Sequence, residues 1–426
     1  MIGLEILSAL MLKRLNRYQQ FSWCVSSNYG LRATANVNLA FNLKGPLDVK
    51  AFCIAVDRVV ERHEQLRSLF FEVDGTPGWH PQTPCSNLLL VDSTAVNAAG
   101  IDAFVEQFCS VPFDLSKEIP FRAVLKRVDH LNHVFVISVH HIAIDGWSVD
   151  LIIEDLKSCY NNLVAGLPDA ALPAIDFDFE TLAEPLQAEE RARQLAFWKG
   201  YLAGAQKPVI PHLVENRPPQ ARSQFEIMMP TAAQGRGLAE LAIAESVTHF
   251  SIYSSIVASA LADFCAVEDL VVSTNISPRT TEATQSIVSY FTALLPLRIR
   301  VDNEAARSEQ AHIVSEAILE IIDEVDLSFD EVLNCTDLGN KLPIHIGMES
   351  SYTCWGMTGV DVVQIQAPDY QPCPLIIWVP IDPADSFIKL QFRPDQIDER
   401  EIRKLKGHIN QVLERFCCVS VERACA

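Results

Sequence analysis

Basic residues are scarce in this sequence. Lysine and arginine together number 34 against 54 aspartates and glutamates, which gives a formal net charge of -20 and a pI near 4.9. A surface with this charge repels polyanions, so the composition argues against nucleic-acid binding. An acidic protein partner would therefore have to bind at a local basic patch.

Long apolar runs are lacking as well. No stretch of about 18 uncharged apolar residues occurs, so we predict no membrane-spanning helix. Glu5 interrupts the apolar stretch 1–12, which has no basic segment before it and no small-residue cleavage site after it. These features argue against a signal peptide.

Regular cysteine patterns are absent too. The 12 cysteines include the adjacent pair Cys417 and Cys418, but they form no CxxC motif and no framework of regular spacing. This usage is typical of reduced thiols. We therefore expect a cytoplasmic location.

The remaining composition is that of an ordered globular protein. The chain has 426 residues, of which 49 % are hydrophobic and 21 % charged, and this length suggests two or three compact units. Strand-like and helix-like segments alternate, which predicts an α/β architecture. A stretch over 165–185 with several prolines is typical of a linker. We place a domain boundary there, between a first domain over 1–175 and a second over 176–426.

Periodicity predicts several elements. In the first domain a strand over 37–43 is broken by Gly45 and Pro46, and Asp48 is placed to cap the following helix. That helix has one apolar face at helical spacing, formed by Phe52, Val56, Val59, Val60 and His63. In the second domain we predict a helix over 250–264, strands over 270–275 and 293–301, and a helix over 399–416.

A strand-to-helix corner carries the most informative motif. The β-branched segment 133–139 predicts a strand that ends at His140 and His141. Gly146 permits a tight turn, and Ser148 is predicted to cap the next helix. The apolar stripe of that helix consists of Val149, Ile152, Ile153, Leu156 and Tyr160.

Only one of the two histidines is expected to face any given cavity, because successive residues of a strand point to opposite sides. The other histidine packs, and His140 fits that role. A neutral imidazole suits general-base work on an amine or a hydroxyl at neutral pH. Asp145 either holds this histidine in one tautomer or pairs with an arginine elsewhere in the chain. A carboxylate buried in such a corner needs a cation nearby.

A metal site is the alternative for this motif. Adjacent strand residues diverge, and His133 lies roughly 23 Å from His140 at about 3.3 Å per residue. His133 therefore cannot share a metal ion with the pair. We predict no metal site.

The motif HHIAIDGWS at 140–148 resembles the HHxxxDG core of nonribosomal-peptide condensation domains and of the wider chloramphenicol-acetyltransferase-like superfamily. Other segments are similar to elements of the same family, in the same order. They are GPLD at 45–48, RHEQLRSLF at 62–70, FWKGYLAG at 197–204, NRPP at 216–219 and SYFTALLPLR at 289–298. The likeness spans nearly the whole chain.

The resemblance implies an α/β fold of two acetyltransferase-like lobes, arranged as a V-shaped pseudo-dimer with a tunnel at their interface. His141 would be the catalytic base, and the amide of Gly146 a donor to the developing oxyanion. By the same resemblance Asp145 is structural and forms a salt bridge with an arginine. Arg62 and Arg279 compete for that bridge, and His140 supports the site by packing.

The implied reaction transfers an acyl group from a phosphopantetheine thioester to an amine or alcohol, with an acyl or peptidyl carrier protein as partner and no permanently bound cofactor. Two alternatives stay open: a free-standing O-acyltransferase that uses acyl-CoA, and a non-catalytic module that recruits a carrier or another protein. The final element departs from the family pattern at Ser289, Ala293 and Leu294, where Gly, Asn and Thr are usual. We expect a stand-alone monomer.

Overall fold

The computed structural model describes residues 12–28, 35–94, 98–167, 172–215, 222–302, 304–349, 355–382 and 384–417. The segment 216–219, most of the stretch 1–12 and Cys418, which the sequence analysis considered, lie outside these residues. The described chain forms three sheets. Its strands are β1 (Lys13–Arg14), β2 (Asn36–Lys44), β3 (Ser68–Val73), β4 (Thr76–Pro81), β5 (Leu89–Asp92), β6 (Phe121–Arg127), β7 (Asn132–His140), β8 (Gln224–Met228), β9 (Asp269–Ile276), β10 (Ala293–Arg300), β11 (Ile344–Glu349), β12 (Asp361–Ile365), β13 (Leu375–Pro380) and β14 (Ile388–Phe392).

Helices alternate with these strands. They are α1 (Arg17–Asn28), α2 (Val49–Arg62), α3 (Ala98–Cys109), α4 (Gly146–Val164), α5 (Ala188–Tyr201), α6 (Ala232–Glu245), α7 (His249–Cys265), α8 (Glu282–Gln285), α9 (Arg307–Ile321), α10 (Phe329–Asn334) and α11 (Glu399–Cys417). The predicted α/β class is confirmed. Each strand and helix predicted from periodicity exists, with ends within two residues of the prediction.

Two compact units divide the chain. Unit 1 comprises 1–185, 279–291 and 352–369, and unit 2 comprises 186–278, 292–351 and 370–426. The main crossover thus comes ten residues after the predicted end of the first domain at 175, and two later segments return to unit 1. The second return has a physical cause, because β12 pairs with β2 along its whole length as an edge strand.

Unit 1 contains a five-stranded sheet in the order β12-β2-β7-β6-β5, in which only the β5–β6 pair is parallel. A smaller sheet, β1-β4-β3, lies beside it. Helices α2 and α4 pack against each other and against the larger sheet over one apolar core, which includes Phe52, Phe135 and Leu156. Asp48 caps α2 as predicted, and its carboxylate accepts from the Ala51 N–H at 3.0 Å.

Unit 2 contains a six-stranded sheet in the order β10-β9-β11-β13-β14-β8. Its central strands β9, β11 and β13 are parallel, and the outer pairs are antiparallel. Helix α7 packs on this sheet and is buried on nearly every side, which accounts for its almost uniformly apolar and small residues.

No single helix among the described residues is long and apolar enough to cross a membrane. One bent pair, Ala232–Glu245 with His249–Cys265, passes the same test of length and composition, with 112° between its two helices.

Candidate active site

The strand-to-helix corner predicted from sequence is present in unit 1. Backbone hydrogen bonds hold strand β7 as far as its last residue. The His140 N–H donates to the Pro120 carbonyl at 2.9 Å, and the His141 N–H donates to the Ala35 carbonyl at 2.7 Å. The chain then turns, with the Ala143 N–H bonded to the His140 carbonyl at 3.0 Å. Helix α4 begins at Gly146, so the motif joins a central strand directly to a helix with one buried face.

His140 is a packed core residue. It is 2 % exposed, its Nδ1 accepts from the Ile142 N–H at 3.1 Å, and its ring contacts Phe113 edge-on. Burial lowers the pKa of His140 to about 3. The ring is therefore neutral at physiological pH and helps to hold the turn that follows it.

His141 has a different environment from its neighbour. Its side chain is only partly buried, and its Nδ1 lies 2.7 Å from the Ile144 carbonyl oxygen. A carbonyl oxygen only accepts hydrogen bonds, so this contact assigns the proton of the neutral ring to Nδ1. Nε2 is then left with its lone pair, as a general base requires. The ring also packs edge-on against Tyr290, with 5.0 Å between ring centroids.

The partner of Asp145 is Arg279. Its Nη2 lies 3.0 Å and 3.1 Å from the two carboxylate oxygens, and each side chain is 1 % exposed. Arg62 instead pairs with Asp155, which also contacts His63 Nε2 at 2.7 Å. Of the two arginines that the sequence left open, the structure brings only Arg279 to the corner, and Arg62 belongs to a separate cluster between α2 and α4.

The predicted cap of α4 was wrong. Asp145 caps the helix, because its extended backbone precedes Gly146 and its carboxylate accepts from the Ser148 N–H at 2.8 Å. Ser148 sits one turn inside the helix and donates its hydroxyl to the same carboxylate at 2.7 Å. Both residue types are common caps, and spacing did not distinguish them.

A network that the sequence did not reveal surrounds the ion pair. Ser148 Oγ accepts from the Ser289 N–H at 3.1 Å, and Asp145 Oδ2 accepts from the Phe291 N–H at 3.0 Å. On the other side, Asn16 Nδ2 donates to the Tyr290 carbonyl at 3.1 Å. The segment 289–291 is thereby fastened to the histidine corner. In the sequence, the only indication of this segment was its resemblance to a family element, and the resemblance predicted no role for residues 289–291.

The Gln19 side chain stabilises the turn that follows His141. Its side-chain amide donates to the Ile142 carbonyl at 3.0 Å and to Gln65 Oε1 at 2.8 Å. Gln19 is also tied to Asn16 by bonds in both directions between their backbones and side chains. Nothing in the sequence around Asn16 and Gln19 indicated this role, since a polar pair three residues apart is common at a helix start.

Gly146 stands at the exposed start of α4. Its N–H is among those that an α-helix leaves without an intrahelical partner, and the positive end of the helix dipole lies there. A Cβ built on Gly146 would meet no other atom within 4 Å. The position is therefore open to an incoming group, and Trp147 next to it is 45 % exposed.

Metal ligands are not assembled in this part of the molecule. Within the described ranges, no group of three or more His, Cys, Asp or Glu side chains is arranged to hold a metal ion. The chemistry that the described corner offers is that of an imidazole base beside a helix N-terminus.

Comparison with known proteins gives one consistent result. A family model described as "Condensation domain" matches residues 13–348. One of the linear gramicidin synthase proteins of Brevibacillus parabrevis is 26 % identical over 425 residues, covering 94 % of the chain. Isonitrile lipopeptide synthase of Mycobacterium tuberculosis is 30 % identical over 70 % of the chain. The chain spans 8 % and 12 % of the length of these two relatives.

Solved structures share the fold. The starter condensation domain of rhizomide synthetase, in complex with C8-CoA, matches with a TM-score of 0.81 and 16 % identity, over 99 % of this chain and 97 % of its own. The X-domain from teicoplanin biosynthesis matches with a TM-score of 0.77 and 21 % identity, over 95 % of both chains. At these identities the likeness shows the fold alone.

Proposed function

The chain belongs to the condensation-domain family of nonribosomal peptide synthetases, and from this premise we propose that it transfers an acyl group from a phosphopantetheine thioester to an amine or a hydroxyl. The observation that carries the proposal is the hydrogen bond from His141 Nδ1 to the Ile144 carbonyl, 2.7 Å long. It leaves Nε2 as the basic atom of a partly exposed ring.

In the proposed reaction His141 Nε2 takes the proton of the acceptor as its nitrogen or oxygen attacks the thioester carbonyl. A bond forms between the acceptor and the carbonyl carbon, and the carbonyl oxygen gains the negative charge. The carbon–sulfur bond then breaks. The phosphopantetheine thiolate leaves and takes the proton from the imidazolium, which restores the neutral ring.

Gly146 is proposed to stabilise the intermediate. Its N–H, at the start of α4, is a backbone donor that the helix does not use, and the missing Cβ lets a substrate oxygen approach closely. The Asp145–Arg279 ion pair is proposed to hold the corner in shape, because both side chains are buried away from solvent.

A single-turnover assay tests the proposal. The chain is mixed with an acyl-loaded carrier protein and a panel of amines and alcohols, and intact-protein mass spectrometry follows the mass of the carrier. We expect the acyl mass to disappear from the carrier and to appear on one acceptor. The variant His141→Ala should slow this discharge strongly, whereas His130→Ala, a change at an exposed histidine of the same unit, should not.

Acyl-CoA serves as the alternative donor in the same assay. Faster transfer from CoA than from any carrier would favour the free-standing O-acyltransferase alternative. The acceptor panel separates amide from ester formation, since the same base acts on both. If neither donor is discharged with any acceptor, the transferase proposal is wrong.

A non-catalytic recruiting module is the second candidate function. It is favoured by the shared fold with the X-domain of teicoplanin biosynthesis, one structure of which is a complex with OxyB. A recruiter would bind a loaded carrier or another protein but never discharge the acyl group. We place it second, because the hydrogen bond that orients His141 is of no use to a recruiter.

We also propose that the protein acts in the cytoplasm as a monomer, with an acyl or peptidyl carrier protein as its partner. The cysteine usage supports a reducing compartment, because the 12 cysteines of the sequence form no CxxC motif and no framework of regular spacing. Size-exclusion chromatography with light scattering, alone and with the carrier, tests the state of assembly.

A further inference from the structure

Tyr290 is the aromatic neighbour of the candidate base. Its ring meets the His141 ring at 86°, with 5.0 Å between the centroids, which is an edge-on aromatic contact. The hydrogen bond to the Ile144 carbonyl holds Nδ1 of His141, and the edge-on packing of Tyr290 is a second contact of the same ring. Together the two contacts restrict the motion of the ring, and so they hold the direction of Nε2.

The Tyr290 ring is itself held in place. The residue is 8 % exposed, and hydrogen bonds hold the backbone on both sides of it. The Ser289 N–H donates to Ser148 Oγ at 3.1 Å and the Phe291 N–H to Asp145 Oδ2 at 3.0 Å. Asn16 Nδ2 holds the Tyr290 carbonyl itself at 3.1 Å.

These contacts form a connected path. Arg279 fixes the Asp145 carboxylate, the carboxylate fixes the backbone next to Tyr290, and the Tyr290 ring contacts the imidazole. Through this path the ion pair can influence the base by way of residue 290. We propose that Tyr290 is a positioning residue, which holds the His141 ring with Nε2 directed at the substrates. This inference rests on the proposed function. The Asp145–Arg279 ion pair acts on the base through Tyr290.

The phenol group of Tyr290 does not compete for the proton. Burial, followed by the nearby Asp145 carboxylate, raises the pKa of this phenol above its usual range. Tyr290 therefore stays neutral at any pH at which the base works. Its contribution comes from the ring, which predicts that phenylalanine can replace it.

Kinetic measurements on variants distinguish the effect of the Tyr290 ring from the effect of its hydroxyl group. Tyr290→Leu should lower kcat by roughly 10-fold to 100-fold, since a misplacement of about 1 Å can cost about 100-fold in rate. The KM values for donor and acceptor should stay nearly constant, and Tyr290→Phe should recover most of kcat with an unchanged pH profile. Tyr290→Met has a similar volume to Tyr290→Leu but a longer and more flexible side chain, and it replaces the leucine variant if that variant does not fold.

Tyr253→Leu is the matched control. Tyr253 is a fully buried tyrosine whose hydroxyl bonds to Ser386, so the same truncation should lower the thermal midpoint, and kcat should stay near the wild-type value. The proposal is overturned if Tyr290→Leu and Tyr290→Met keep the wild-type kcat. It is also overturned if Tyr290→Phe loses as much activity as they do, because the hydroxyl would then take part in the chemistry.

A spectroscopic arm keeps this test independent of the proposed function. In protein with ¹⁵N-labelled histidine, His141 signals, assigned by their loss in His141→Ala, should report one tautomer with the proton on Nδ1. In Tyr290→Leu the ring gains freedom, so the ¹⁵N chemical shifts of its two nitrogens should become more similar to each other. Unchanged ring signals would overturn the proposal even if the wild-type chain discharges no carrier.

Discussion

Asp145 and Arg279 form an ion pair across 134 residues of sequence, in which each side chain is 1 % exposed. The guanidinium also donates from Nη1 to the Thr284 and Ile287 carbonyls, at 2.6 Å and 2.8 Å. One arginine thus closes the loop around α8 and holds it to the start of α4. The pair links the histidine corner to the segment that carries Tyr290.

Removal of this arginine should destabilise the protein. In Arg279→Ala the buried Asp145 carboxylate is left without its cation, and breaking a buried pair in this way costs about 3–5 kcal/mol. The free energy of unfolding, measured by urea titration, should fall by that amount. Arg279→Lys should recover only part of it, because an ammonium group cannot make the forked contacts of a guanidinium.

Lys117→Ala is the control for this prediction. Lys117 pairs with Asp114, but its side chain is 79 % exposed, so its removal should leave the unfolding curve unchanged. A wild-type unfolding curve for Arg279→Ala would mean that the ion pair does not hold the corner.

The elements of the corner were predictable because they depend on local patterns. The β-branched run before His140 and the apolar stripe from Val149 specify a buried strand and a helix with one buried face. The partner of Asp145 was not predictable, since the family resemblance left both Arg62 and Arg279 open and only the tertiary fold decides which one approaches. Ser148 was assigned the wrong role for a similar reason, because it lies within three residues of a better-placed cap.

The division into units shows a second limit of local patterns. Strand β12 has five residues, and its partner β2 lies more than 300 positions earlier in the chain. Gly45 at the end of β2 adopts a φ of 133°, and a Cβ there would collide with the Gly359 backbone. Gly45 correctly predicted the end of the strand, but the sequence did not indicate which segment packs against it.

Gly146→Ala should separate catalysis from stability. A Cβ at this position meets no atom within 4 Å, so the variant should fold with an unchanged thermal midpoint. The added methyl group would stand in the open space where we place the thioester, and the acyl-transfer rate should fall by roughly 10-fold or more. Mass spectrometry of the carrier measures the rate.

Gly237→Ala provides the comparison for Gly146→Ala. Gly237 lies in α6, and a Cβ there also meets nothing within 4 Å, so the same chemical change should leave acyl transfer unaffected. Equal rates for Gly146→Ala and the wild type would remove Gly146 from the proposed mechanism.

Stability should fall in mild acid because of buried histidines. Burial lowers the pKa of His345 in β11 to about 4, against about 6.5 in an unfolded chain. Above pH 6.5 both states are neutral and His345 has no effect. As pH falls from about 6.5 to about 4, the unfolded state binds a proton that the folded state refuses, so the free energy of unfolding falls by up to about 1.4 kcal/mol per pH unit.

His345→Gln isolates this contribution. The loss of unfolding free energy between pH 7 and pH 5 should be roughly 1–2 kcal/mol smaller in His345→Gln than in the wild type. Carboxylates titrate equally in both proteins and cancel. His130→Gln, at an exposed position, should keep the wild-type pH dependence. An identical pH dependence in His345→Gln and the wild type would contradict the prediction.

His141→Ala should leave measurable acyl transfer. A positioned general base contributes about 10² to 10⁴ in rate, whereas holding two reactants together supplies effective molarities of about 10⁵ M or more. Positioning therefore contributes more to the rate than the base does, and it survives the loss of the imidazole. The single-turnover rate of carrier discharge should fall by about 10² to 10⁴ but stay above the rate without protein, and it should recover in part when free imidazole is added. Complete loss of transfer in a folded His141→Ala protein would show that this side chain shapes the site as well as moving a proton.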